Sequence, residues 1–378
     1  MITPEALKER FIPFASLRYS TEAFIDYCIP ACTPKYNYAL IGAGVSQNPK
    51  QPVSLREPHG FQLGGVSMPH GKVNPPHMHF TCEVFICTRG NWRIQWGFDP
   101  DPRSIDIGVG DIVSIPTWIY RGFSNIGVDD GYLFTVLGGD STGGILWGPA
   151  TLAAAREQGV VLTADYRLVD SRRGDTLPPG TPMLLPMTPD EIAALRVWSE
   201  AEMAGRLVRF DDLQWSPHSL LDAALPGAGA SLAPVIGLGT TQDRDHAAPV
   251  ANAHGVSVEW LRLPAGGSVS RHRLDAKQVL VVKAGSIEVS VHTTEGPVAY
   301  TAQAGERAWD TFSLPPGCWR SLTNIGPGEA LALLLTAGDE RKRIEWDAPV
   351  LHAAHALDRA LDADGFVAPK RFVDRAQP

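Results

Sequence analysis

Short apolar runs, many of them alternating with polar residues, recur along most of the chain between Gly- and Pro-containing turns. In the first half they include VFICTRGNWRIQW (84–96), DIVSIPTWIY (111–120) and YLFTVLGG (132–139). In the second half they include VLVVKAGSIEVSVH (279–292), DTFSLPPG (310–317) and ALALLLTAG (330–338). Period-two runs at regular spacing, bounded by turn residues, predict an all-β sandwich or barrel. Helical patterns are few. TPE at residues 3–5 supplies an N-cap, an N1 proline and a first-turn acid for a short opening helix. GPATLAAAREQGV predicts a helix from Thr151, and MTPDEIAALRVWSEAEMAGRL a longer one capped by Thr188. APVLHAAHALDRALDADG predicts a third, stopped by Gly365, with PKRFVDRAQP as a solvated tail.

The two sets of strands correspond. Gly90 matches Gly285 at an offset of 195, and Pro116 matches Pro315 at an offset of 199. Arg121 and Arg320, NIG at 125–127 and 324–326, and GD at 139–140 and 338–339 keep the second offset. A near-constant offset across turn positions signals an internal duplication. It predicts an N-terminal segment (1–54), a first barrel (55–142), a largely helical linker (143–234), a second barrel (235–342) and a C-terminal helix and tail (343–378).

A net charge of −8 disfavours nucleic acid and anionic membranes as partners. No apolar run is long enough to span a bilayer, and the N-terminus has no apolar signal region. Five scattered cysteines without CxxC spacing predict reduced thiols in a cytoplasmic protein.

Chemistry concentrates in GKVNPPHMHFTCEVFICTRGNW (71–92). Strand parity puts His77 and His79 on one face, and Glu83, an even number of residues on, joins them unless a bulge intervenes. Two imidazoles and a carboxylate form a three-ligand open site that suits Fe(II), with Mn, Ni, Cu or Zn as alternatives. The competing reading is a buried Glu83–Arg121 ion pair with the histidines as polar lining. Arg121 either clamps a substrate carboxylate or is architectural, since Arg320 occupies the same place in the second copy. Parity makes Phe85, Trp92, Trp96 and Phe123 candidate cavity walls, with Trp118 at the turn. His70 and Tyr120 are candidate acid–base groups. His352 and His355 read as a solvated helix face, and no phosphate loop, dinucleotide fingerprint or nucleophile elbow is present.

Gly71, His77, His79, Glu83 and Gly90 reproduce the spacing of the first cupin motif. Gly110, Pro116 and Asn125 match the second, with Trp118 and Arg121 at its glycine and histidine. In the second copy His272 remains, while Leu274, Gln278 and Arg320 replace the other ligands. The chain therefore resembles bicupins, which implies two double-stranded β-helix (jelly-roll) barrels, one metal site and a homo-oligomer. Its length, its one intact site and Trp118 resemble ring-cleaving dioxygenases of the gentisate, salicylate and hydroxynaphthoate type, which implies an Fe(II) oxygenase using O2 on a small aromatic or planar carboxylate. Those enzymes use three histidines, whereas this chain keeps Glu83 and lacks the third. The alternative is a non-oxidative cupin, as lyase, isomerase or decarboxylase, or a metal-free binding protein.

Overall fold

The structure, a computed structural model, describes residues 1–98, 102–305 and 308–376. The chain forms two units: residues 17–211, and residues 212–378 together with 1–16. In the N-terminal unit an eight-stranded sheet faces a five-stranded one. The larger runs Leu207–Val208, Ile112–Ile115, Glu83–Arg89, Gly131–Gly138, Phe61–Met68, Tyr36–Ile41 and Tyr19–Ser20, with Val53–Leu55 parallel to Tyr36–Ile41. The smaller runs Ile145–Trp147, Val73–His79, Arg121–Asn125, Trp92–Trp96 and Arg103–Ile107. Apolar side chains of both sheets, among them Val66, Phe85, Leu133, Trp92, Ile94 and Trp96, pack between them. This burial is the main stabilising term of such a sandwich. In the C-terminal unit two six-stranded sheets enclose a Leu- and Val-rich core.

The duplication extends further than the barrels. Tyr36–Ile41 and Ser231–Ile236 pair with their neighbours in equivalent registers, each with an irregularity before its last residue. The helix Pro149–Glu157 and hairpin Val160–Leu162/Leu168–Asp170 recur 199 residues later as Ala348–Ala356 and Arg359–Leu361/Val367–Pro369. Side-chain roles repeat too. The Asn125 carboxamide donates to the Met68 and Asp129 carbonyls and accepts from Gly127 N–H; Asn324 does the same with Leu263, Gly328 and Gly326.

Four expectations need correction. Residues 1–54 are no separate segment: Tyr36–Ile41 lies inside the first barrel's sheet, and Phe11–Ile12 pairs with Thr311–Leu314 of the C-terminal unit. The long helix after Thr188 is two short ones, Pro189–Ala193 and Glu200–Ala204, because Ser199 and Glu202 form a second capping box that starts the chain afresh. The helix from Ala348 stops at Ala356, not Gly365, because Asp358 adopts the left-handed conformation that Gly159 holds in the first copy. Lys370–Ala376, expected as a solvated tail, is helical. Among the described residues no helix is long and apolar enough to cross a membrane.

Candidate metal centre

His77 and His79 end the strand Val73–His79, and the chain then turns at residues 80–82. Glu83 opens the next strand, which belongs to the opposite sheet. The three side chains therefore meet across the sandwich, and not along one strand face as parity suggested. One ligand atom from each lies within 4.8 Å of the others. All three are buried at the wall of one cavity, which has about 90 Å³ open to water centres.

The donors are individually prepared for a cation. His77 Nδ1 lies 2.8 Å from the Pro75 carbonyl and 3.1 Å from the Asn74 carboxamide nitrogen. The two contacts ask for opposite tautomers; the shorter one, to an obligate acceptor, puts the proton on Nδ1 and leaves the Nε2 lone pair free. His79 Nε2 is 3.5 Å from Glu83 Oε2, while its Nδ1 is buried with no partner. Burial first, and then the Arg121 guanidinium, hold both imidazoles well below their usual range, so both are in the neutral, ligating form. Burial pushes the Glu83 carboxyl up, and Arg121 opposes it. Arg121 Nε donates to Glu83 Oε2 at 3.1 Å, and Oε1 takes no hydrogen bond among the described residues. Neutral imidazoles and a carboxylate oxygen free of hydrogen bonds, with ligand atoms this close together, fit a divalent metal bound by these three residues.

Arg121 does not reach the cavity. It is fully buried behind Glu83 and also donates to the Ile119 carbonyl. Arg320 reaches the corresponding side chain in the second copy through a different nitrogen, donating from Nη2 to Gln278 Oε1 at 3.2 Å and from Nη1 to the Pro315 carbonyl. The shared partner position, and the absence of Arg121 from the cavity lining, favour the architectural role over the substrate clamp.

The expected wall also changes. Of the five aromatic candidates for the wall only Phe123 lines the cavity. Phe85, Trp92 and Trp96 fill the core between the sheets, and Trp96 Nε1 donates to the Trp198 carbonyl. Trp118, at φ 59°, turns outward on the loop, 52% exposed, against the Phe80 ring. Tyr120 packs on Phe98 away from the cavity, and His70 Nδ1 contacts the Gly127 carbonyl. The actual wall uses Trp147, 5.3 Å from the His77 ring, with Phe24, Tyr38, Asn37, Gln51, Gln62 and the glycines of 42–44 and 64–65. Sequence reasoning missed these because they come from the segment it set apart and from strand ends without a motif.

A buried polar chain stands behind His77. Lys35 Nζ is 2.5 Å from both Asp26 Oδ2 and Asn74 Oδ1, and Asn74 contacts His77. The second copy has Ala230 and Val269 at the places of Lys35 and Asn74. Its His272 keeps the carbonyl bond, to Ser270, but Leu274 is apolar and the Gln278 amide is spent on Thr336 and Arg320. That arrangement has no free carboxylate for a metal.

No family model matches the chain, and no curated protein sequence matches it either. Solved structures do. Oxalate decarboxylase from Lactobacillus farciminis, in a formate complex, superposes with a TM-score of 0.52 at 13% identity, covering 88% of this chain and 87% of that one. Vicilin from tomato, Solanum lycopersicum, gives 0.53 at 9% identity over 89% and 87%. Oxalate decarboxylase from Bacillus subtilis gives 0.50 at 10% identity over 88% and 77%. The chain has the bicupin fold of these proteins.

Proposed function

We propose that the N-terminal unit is a single-metal enzyme site that converts a small polar substrate without net oxidation, as lyases, isomerases and decarboxylases do. The observation that carries this reading is the convergence of His77, His79 and Glu83 from two sheets on one cavity, beside a second copy that keeps only His272 of the three. Three protein ligands leave coordination positions open. A bound divalent ion would supply Lewis-acid polarisation of a substrate oxygen. Burial keeps the two histidines neutral for that ion, Arg121 fixes the Glu83 carboxylate, and the Pro75 carbonyl holds the His77 ring through Nδ1. Oxalate decarboxylases, on the same fold, are a precedent for non-oxidative chemistry.

The Fe(II) dioxygenase reading keeps one support, a two-histidine, one-carboxylate donor set that suits Fe(II). Against it, the guanidinium expected to clamp an aromatic acid donates to Glu83 and stands outside the cavity lining. The deciding experiment loads the protein anaerobically with Mn(II) or Fe(II) and offers small carboxylates and hydroxylated aromatic acids. Turnover without stoichiometric uptake of dioxygen is expected; stoichiometric uptake with an aromatic acid would overturn the reading.

A further inference from the structure

The C-terminal unit holds a carboxylate in a cradle whose N-terminal counterpart holds none, although the Gln62 carboxamide oxygen there accepts from Gly44 N–H. Glu259 is fully buried; its carboxylate accepts from Thr240 N–H at 2.7 Å, Thr240 Oγ1 at 2.8 Å and Thr241 N–H at 3.2 Å. The donors belong to the loop Gly237–Gln242, whose counterpart is Gly42–Gln47. The two loops share their backbone: Gly42 and Gly44 have φ of 70° and 63°, Gly237 and Gly239 of 70° and 53°. Their anchors match as well. Gly42 N–H donates to Leu55 and Gly237 N–H to Val250, while Gln47 Oε1 accepts from Ile25 N–H and Gln242 Oε1 from Leu221 N–H.

Strand pairing fixes the residue that answers to Glu259. Ala39 pairs with Gly64 as Pro234 pairs with Glu259, so glycine stands in the N-terminal unit where the C-terminal unit has its internal carboxylate. The space confirms the vacated position. A Cβ on Gly239 would lie 2.1 Å from Glu259 Cδ, whereas a Cβ on Gly44 would meet nothing within 4 Å. Val45 and Ser46, the counterparts of Thr240 and Thr241, line the same cavity as His77, His79 and Glu83. Neither N–H has a protein acceptor among the described residues.

We infer that the Val45 and Ser46 N–H groups bind a carboxylate of the substrate, which takes the place that the Glu259 carboxylate occupies in the other copy. Successive backbone donors of this kind form an anion-binding concavity. The substrate is then a small acid with its carboxylate against the loop and a second polar group directed toward His77, His79 and Glu83. This deepens the proposed function and rests on the cavity being the substrate site. Val45 lacks the hydroxyl of Thr240, so the cradle offers two donors where its copy has three.

The probe is acetate, with chloride as the ionic-strength control, titrated into unloaded and Zn(II)-loaded protein and followed by amide 1H–15N spectra. The Val45 and Ser46 amides should shift saturably with acetate, and those of Thr240 and Thr241 should not. Gly64→Glu should supply the carboxylate internally and abolish the response. Val45→Thr, which needs no change in the strand, should tighten acetate binding about 3- to 10-fold by adding one donor. Unmoved Val45 and Ser46 amides, or unchanged acetate affinity in Val45→Thr, would overturn the inference even if Gly64→Glu fails to fold. A response in the unloaded protein that persists where Zn(II) fails to bind would support the cradle and sink the metal reading alone; Zn(II) binding without the response would do the reverse.

Discussion

Glu83→Gln is a substitution for which the molecule carries its own control. The C-terminal unit has Gln278 at the equivalent place, and Arg320 donates to its carboxamide oxygen at 3.2 Å, much as Arg121 donates to Glu83 at 3.1 Å. Arg320 is buried without a carboxylate partner, and its pKa, lowered by burial to about 10, still leaves it protonated near neutrality. Glu83→Gln should therefore keep the hydrogen bond and lose only its charge assistance. A hydrogen bond to a charged acceptor contributes about 1.5–3 kcal/mol and one to a neutral acceptor about 0.5–1.5, so the loss should be about 1–2 kcal/mol. Glu83→Ala leaves a buried guanidinium without its partner and should cost about 3–5 kcal/mol. Urea unfolding of chelator-treated proteins measures both values without a contribution from bound metal. Metal content after reconstitution and desalting should fall in both variants, because a carboxamide is a poor substitute for a carboxylate on a divalent ion. If Glu83→Gln destabilises as much as Glu83→Ala, the equivalence of the two arginines is wrong. If it retains stoichiometric metal, Glu83 is not a ligand.

Two further predictions concern buried groups. Lys35→Met should cost about 3–5 kcal/mol by leaving Asp26 unpaired in the interior, and adding Asp26→Leu should recover much of it; additive losses in the double-mutant cycle would show that the pair is not coupled. Burial and Arg320 hold the His272 imidazole down at about 3, against an ordinary 6.5. Between those values the unfolded chain binds a proton that the folded chain does not, so stability falls as pH drops, by about 1.4 kcal/mol per unit. His272→Ala should remove one such slope from the acid limb of a pH–stability curve and leave metal content unchanged; an unaltered slope contradicts the assignment.

The β architecture, the duplication and the histidine pair were legible because each rests on local pattern: period-two runs, repeated glycine turns, and one motif. What was hidden depends on contacts between distant segments. Glu83 reaches the histidines across two sheets, which no parity argument along a single strand contains. The extent of the repeat was masked where residues changed but backbone did not, as at Gly159 and Asp358 or Gly64 and Glu259. The aromatic wall was misassigned because parity identifies inward-facing residues but not which of them fill the core; Phe85, Trp92 and Trp96 do so. Arg121 was readable as an arginine at a ligand position, but only its contact with Glu83 shows where its charge is spent.

The central claim is that His77, His79 and Glu83 hold one metal ion per chain. Its most direct test is metal stoichiometry, measured after anaerobic reconstitution with Mn(II), Fe(II), Ni(II), Cu(II) or Zn(II) and desalting, on the wild-type protein and on His77→Ala. The account predicts one equivalent of at least one of these ions in the wild type and its loss in His77→Ala. A wild type that retains none of the five, or a His77→Ala protein that retains the metal unchanged, would contradict it.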